Sequence, residues 1–178
     1  IICLLCAALL PALCACSREE RPTLSEGRLN IVCTVFPAYD FAREIAGDRA
    51  NVLLLIPPGA ESHSFEPTPQ DMAALAGCDL IFANGGVGES WLTSLIAAGE
   101  TDAAVIYMTE CVPLRAEEHK EGMQSAGHSH EHDDSCHHDH EHHDEEYDEH
   151  VWTSPENAKL IIKVLWDALC QKDDTNAA

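Results

Sequence analysis

The chain has 178 residues, with 31 Asp and Glu against 10 Lys and Arg and a formal net charge of -21. Such a surface repels phosphates, which excludes a nucleic-acid partner and leaves cations as the ligand class it attracts. The length allows one domain of ordinary size, and because several stretches cannot enter a core, one compact lobe is expected.

Residues 1–13 are almost entirely apolar and run into Ala12-Leu13-Cys14-Ala15-Cys16-Ser17. The run is shorter than the roughly 20 apolar residues of a membrane span and reads as an export signal. Leu13-Cys14-Ala15-Cys16 resembles the bacterial lipobox, where cleavage precedes a lipid-bearing cysteine. Cys16 fits that role; Cys14, with Pro11 three residues before it, fits it less well. The bland alternative is a buried apolar segment with incidental cysteines. No Met or basic stretch precedes Ile1, so residues 1–15 are expected to be part of a signal peptide. Residues 16–28, polar and interrupted by Pro22 and Gly27, are expected to be a flexible, lipid-anchored tether.

From Leu29 to residue 116, β-rich runs alternate with helical patterns. Strands are predicted over 29–36, 51–56, 79–84 and 103–108, and helices over 39–46, 69–76 and 90–98. Gly47-Asp48, Pro57-Pro58-Gly59, Gly85-Gly86 and Gly99 punctuate the junctions. The alternation predicts an α/β lobe of three layers around roughly four parallel strands.

His63 lies in the loop that leaves the second predicted strand, between Pro57-Pro58 and Pro67-Thr68-Pro69. In open α/β sheets ligands bind at the carboxyl ends of strands, and the flanking prolines restrict the backbone that carries the imidazole. Taken alone, a loop histidine is more often a solvated side chain than a ligand.

Residues 117–149 break the pattern. Across 117–150 there are 13 Asp and Glu against a single Lys, and almost no aliphatic side chain to offset the entropy of ordering. A mobile loop is predicted there. It carries His128, His130, His132, His137, His138, His140, His142 and His143. Neutral imidazole ligates zinc, copper and nickel, and the carboxylates concentrate cations. They also favour protonated imidazole, so capture weakens as pH falls toward about 6. The spacing defines no single tetrahedral centre, so several weak, exchangeable sites are expected. The competing reading is an acidic, solvated linker.

His150 follows in Asp148-Glu149-His150-Val151-Trp152, where an acidic neighbour can take the second imidazole N–H and raise ligand basicity. It could equally be the last histidine of the tract, although Val151-Trp152 marks a return to packed structure. Ser154-Pro155 then supplies an N-cap and a first-turn proline for a helix whose apolar positions run from Ala158 to Leu169. Residues 150–178 thus hold a second ligand segment and a long helix near whose end the sequence stops.

Nine cysteines in an exported chain suggest disulfides, but Cys3, Cys6, Cys14 and Cys16 belong to the signal or anchor. The other five are scattered without a CxxC pair. Cys33 and Cys78 sit in or beside apolar runs and read as small buried hydrophobes. Cys136, between histidines, is the plausible thiolate ligand.

Three stretches together resemble one family, the metal-specific solute-binding lipoproteins of ABC-type importers, and in particular its zinc branch. They are Pro58-Gly59-Ala60-Glu61-Ser62-His63-Ser64-Phe65-Glu66-Pro67-Thr68-Pro69-Gln70-Asp71; Cys78-Asp79-Leu80-Ile81-Phe82-Ala83-Asn84-Gly85 with Glu89-Ser90-Trp91-Leu92; and Asp148-Glu149-His150-Val151-Trp152-Thr153-Ser154-Pro155-Glu156-Asn157-Ala158. The resemblance covers about residues 29–178. It implies a receptor of two α/β lobes joined by one long helix, with the metal between the lobes. The family's first two histidine ligands map onto His63 and His150. A third histidine and a carboxylate would come from a second lobe, for which this sequence has no counterpart, so the chain is expected to be truncated within the helix that begins at Pro155. The His-rich loop is typical of the zinc branch, which implies Zn2+ ahead of Mn2+. The resemblance further implies a cell-envelope, extracytoplasmic location, a lipid anchor in the membrane and an ABC importer permease as partner. One departure is that Glu149 and Thr153-Ser154 stand where many members have Pro and Leu-Asp.

Two other classes compete. In a zinc buffer or sensor lipoprotein without a transport role, the tract over 127–144 is the working part and the lobe only displays it. A zinc hydrolase needs a general base beside an open metal position; Glu61 or Glu66 could be nominated, but no HExxH or nucleophile elbow is present, so no enzyme is expected.

Overall fold

The computed structural model describes residue 24, residues 27–115 and residues 147–173. Cys16, Cys136, the tract histidines from His128 to His143 and the loop expected around them lie outside the described residues, as does nearly all of the signal and tether.

The elements in order are β1 (Leu29–Cys33), α1 (Phe36–Ala46), β2 (Ala50–Leu54), α2 (Pro69–Gly77), β3 (Leu80–Ala83), α3 (Ser90–Ala97), β4 (Ala104–Tyr107) and α4 (Pro155–Lys172). The four strands form one parallel sheet in the order β2-β1-β3-β4. The three-layer α/β architecture and the strand count agree with the sequence expectation. β1 ends at Cys33, short of the predicted 36, because the chain leaves the sheet at Thr34 and Pro37 sits in the first turn of α1. A proline there loses no helical hydrogen bond and pre-sets φ.

Alternate strand residues enter opposite cores. Ile31, Cys33, Val52, Leu80 and Phe82 meet Ala38 and Ala42 of α1 and Ile161 and Leu165 of α4. Val32, Leu53, Leu55, Ile81 and Ala83 meet Leu75 of α2 and Leu92 of α3. Covering both faces requires strands that read as continuous apolar runs, as Leu80-Ile81-Phe82-Ala83 does. Each such aliphatic or aromatic side chain contributes about 1.5–3 kcal/mol of burial. Cys33 and Cys78 are buried among these residues, as small hydrophobes are. Burial raises the Cys78 thiol to about 11, so it stays protonated at neutral pH.

α4 begins with Pro155 in its first turn, as expected, but Ser154 makes no side-chain cap bond. The preceding turn is closed instead by Thr153, whose N–H and Oγ1 both donate to the His150 carbonyl at 3.1 and 2.8 Å. Among the described residues no helix is long and apolar enough to cross a membrane.

Candidate metal centre

Strand order reverses at β1, which has β2 on one side and β3 on the other. A crevice opens above the carboxyl ends of strands at such a switch point. Thr34 and Asn84, both buried, directly follow β1 and β3 there, and the Asn84 N–H donates to Thr34 Oγ1 at 3.3 Å.

Three segments rise from this edge. The first joins β2 to α2 and carries His63. Thr68 and Asp71 close its far end with a capping box: Thr68 N–H donates to Asp71 Oδ2 at 2.9 Å, and Asp71 N–H to Thr68 Oγ1 at 3.3 Å. Phe65, two residues past His63, packs on Trp91 of α3 with ring centroids 5.1 Å apart. The His63 side chain itself is 62% exposed, with Glu61 Oε1 4.0 Å from its Nε2.

The second segment follows β3. Gly85 and Gly86 have φ of 86° and 80°, in the left-handed region, and a Cβ on Gly85 would stand 2.5 Å from Thr109 Oγ1. Glu89 is buried beneath this turn, and its Oε2 accepts from the Gly85 N–H at 2.8 Å. Burial pushes the Glu89 carboxyl above its ordinary range, with the Gly85 N–H opposing that push.

The third segment enters α4 and carries His150. Val151 anchors it in the core shared with α1 and α4, and Trp152 meets the His150 ring at 5.3 Å between centroids. The acidic neighbour that serves the imidazole is Asp148: its Oδ1 accepts the His150 backbone N–H at 2.9 Å and lies 3.0 Å from Nδ1. An aspartate can only accept, so Nδ1 carries the proton and Nε2 presents its lone pair outward. The Asp148 carboxyl is held below its usual range, first by the His150 backbone N–H.

The three segments meet at Gly88. Its N–H donates to Glu149 Oε2 at 3.2 Å, and the Val87 N–H donates to Glu149 Oε1. A Cβ placed on Gly88 would lie 3.1 Å from Glu149 Oε2, 3.3 Å from Ser62 Oγ and 3.4 Å from His63 Cε1. The His63 loop and the residue beside His150 therefore face one glycine. Among the described residues no group of three or more His, Cys, Asp and Glu is arranged to hold a metal ion. His63 and His150, each with an acidic neighbour, are thus carried on segments that approach one another at Gly88; two side chains are fewer than the four donors that tetrahedral zinc takes. The tie from Glu149 to Val87 and Gly88 is the part that sequence reasoning missed, since it spans 62 and 61 residues.

Residues 31–178 match the profile of the family described as zinc-uptake complex component A, periplasmic. The chain is 33% identical over 168 residues to the zinc-binding lipoprotein AdcA of Streptococcus pneumoniae, an alignment covering 90% of this chain and 30% of that protein. It is 33% identical over 170 residues to the high-affinity zinc uptake system protein ZnuA of Bacillus subtilis, covering 94% of this chain and 50% of the other. The crystal structure of Zn(II)-bound AdcA from Streptococcus pneumoniae superposes with a TM-score of 0.62 at 28% identity, over 85% of this chain and 28% of that one. The chain thus spans half or less of the length of these relatives.

Proposed function

Because the chain belongs to the family described as zinc-uptake complex component A, periplasmic, we propose that it is a metal-receiving lobe of an extracytoplasmic receptor that delivers zinc to an ABC-type importer permease. The observation that carries this reading is the meeting of the His63 and His150 segments at Gly88, on the carboxyl edge of the sheet, with His150 Nε2 freed by Asp148. His63 and His150 are two of the metal's donors, and a third histidine and a carboxylate are supplied by chain beyond this sequence. Two imidazoles favour zinc over manganese, which prefers oxygen ligands. The S. pneumoniae and B. subtilis relatives carry zinc in their names, which supports the same choice.

The remaining assignments follow from this role. Cys16 carries the lipid that holds the receptor at the cell membrane. Residues 29–116 form the lobe, and the eight tract histidines, His128, His130, His132, His137, His138, His140, His142 and His143, gather zinc without forming the delivery site. Receptors of this class bind and hand over, so no turnover is expected.

Zinc calorimetry separates this reading from that of a buffer lipoprotein. The chain is compared with the same chain lacking residues 127–144, and with that deletion carrying His63→Ala and His150→Ala. A distinct site that survives the deletion and disappears with the two histidines supports the receptor. Loss of nearly all binding on deletion alone assigns the zinc held by this chain to the tract, and the same loss in a chain extended to supply the remaining two donors overturns the receptor reading.

A further inference from the structure

The turn between β3 and α3 is held from two sides. Beneath it, buried Glu89 takes the Gly85 N–H. Above it, two successive amides, Val87 and Gly88, donate to the two oxygens of one carboxylate, that of Glu149. Consecutive N–H groups after a glycine turn form a concavity that binds anions, and here a side chain of the same protein fills it. The carboxylate also occupies the space into which a Cβ on Gly86 would project, so the fit depends on glycine at that position.

The consequence lies in what stands on either side. Asp148 N–H donates to the Arg115 carbonyl at 3.1 Å, so residues 115 and 148 lie side by side. Glu149 is the next residue, and His150 follows it. On the other side of Gly88 are Ser62 and His63. The two imidazole-bearing segments are far apart in the chain, one between β2 and α2 and the other entering α4, and the Glu149 carboxylate is the link that ties the second to the glycine that the first faces.

We propose that Glu149 is a positioning residue: its carboxylate docks the His150 segment onto the Val87–Gly88 amides and so sets the span between the His63 and His150 imidazoles before metal arrives. The inference rests on the reading of those two histidines as donors. Each Glu149 oxygen accepts one backbone N–H, which holds the carboxylate against the turn, and its assigned role is positioning. Charge-assisted bonds to two amides fix direction as well as distance, and a metal site gains affinity when its ligands need not be reorganised.

The test uses the full chain with ¹⁵N-labelled histidine, read at free zinc concentrations fixed by a chelator, so that capture by the tract does not alter the zinc available to the edge. The His63 and His150 imidazole signals are assigned with the single alanine variants. Glu149→Ala is expected to raise the free zinc needed to shift His63 and His150 by about tenfold, the scale of an outer-sphere partner, in a chain that still folds. Glu149→Gln should fall between, because its carbonyl can accept one amide while its NH2 cannot accept the other; it also serves as the variant to read should alanine fail to fold. On a His150→Ala background, Glu149→Ala should change the zinc response of His63 no further, since the group it positions is gone. Two results would overturn the proposal: a wild-type zinc response of His63 and His150 in both Glu149 variants, which leaves the receptor reading intact, or an equal loss on the His150→Ala background, which makes the tie merely structural. If neither the His63 nor the His150 imidazole of the native chain responds to zinc at any free concentration that fills the tract, the receptor reading itself fails and this proposal with it.

Discussion

Asp148 holds His150 twice, with one carboxylate oxygen 2.9 Å from its backbone nitrogen and 3.0 Å from its Nδ1. The pair fixes both the ring's direction and its tautomer, which leaves one nitrogen for a metal. Asp148→Ala is expected to weaken zinc binding at His150 by about tenfold, and Asp148→Asn by less, because the amide oxygen still accepts one N–H. Imidazole ¹⁵N shifts check the cause: His150 should be protonated at Nδ1 in the native chain and a mixture of tautomers in the alanine variant. An unchanged tautomer together with an unchanged affinity would remove Asp148 from the site.

The His63 segment is steadied by apolar packing. Phe65 packs tilted on Trp91, ring centroids 5.1 Å apart, and lies against the core of Val32, Leu53, Leu75 and Leu92. Phe65→Ala removes a half-buried ring and an aromatic pair, and should lower stability by about 2 kcal/mol in urea unfolding. Phe65→Leu should recover much of that loss. Zinc affinity should fall in the alanine variant through His63, with the tautomer of His150 untouched.

These two anchors were unequally visible in the sequence. Element order was legible because strands covered on both faces, such as Ile31-Val32-Cys33 and Leu80-Ile81-Phe82-Ala83, appear as unbroken apolar runs between turn glycines. The place of His63 followed from the strand before it, and the acidic service to His150 from two adjacent carboxylates, although sequence alone could not choose Asp148 over Glu149. What could not be read was the meeting at Gly88. Gly85-Gly86 appeared only as turn punctuation, and the bonds from Val87 and Gly88 to Glu149 join residues far apart in the chain. Glu89, flanked by Gly88 and Ser90, has the look of a solvated loop residue and is instead 1% exposed. No local pattern signals either fact, because both depend on how these segments meet at the sheet edge.

The long helix offers a sharp contrast between neighbouring positions. Ile161 and Leu165 are fully buried against the sheet, whereas Leu160 is 46% exposed. Ile161→Ala or Leu165→Ala should cost about 2–5 kcal/mol, through lost burial and the cavity left behind. Leu160→Ala in this chain should stay within about 0.5 kcal/mol, as surface changes do. Equal costs at Leu160 and Ile161 in urea titrations would mean that the helix packs in another register.

Glu89 makes stability depend on pH in a direction opposite to that of a paired surface acid. Its carboxyl is buried, one oxygen accepts from Gly85 and the other, Oε1, has no hydrogen bond of good geometry among the described residues; burial raises its folded-state pKa against the lowering by Gly85, Thr34 and Asn84, and Glu149 across the turn adds a smaller push upward. A carboxyl whose folded pKa lies above its unfolded one binds more protons folded than unfolded between the two values. Its contribution to stability is therefore fully present below the unfolded pKa and is lost as pH rises through the folded pKa. Glutamine resembles the protonated acid and does not titrate, so Glu89→Gln should gain on the native chain as pH is raised from the acid range to neutrality. Urea unfolding of both chains across that range checks this, and taking the difference cancels the histidines and carboxylates that titrate in both. A difference that stays flat would mean that Glu89 is ionised at the same pH folded and unfolded. A difference of the opposite slope would mean that the Gly85 N–H and the other donors around the turn outweigh burial, and the carboxylate would then stabilise the turn beneath Gly88.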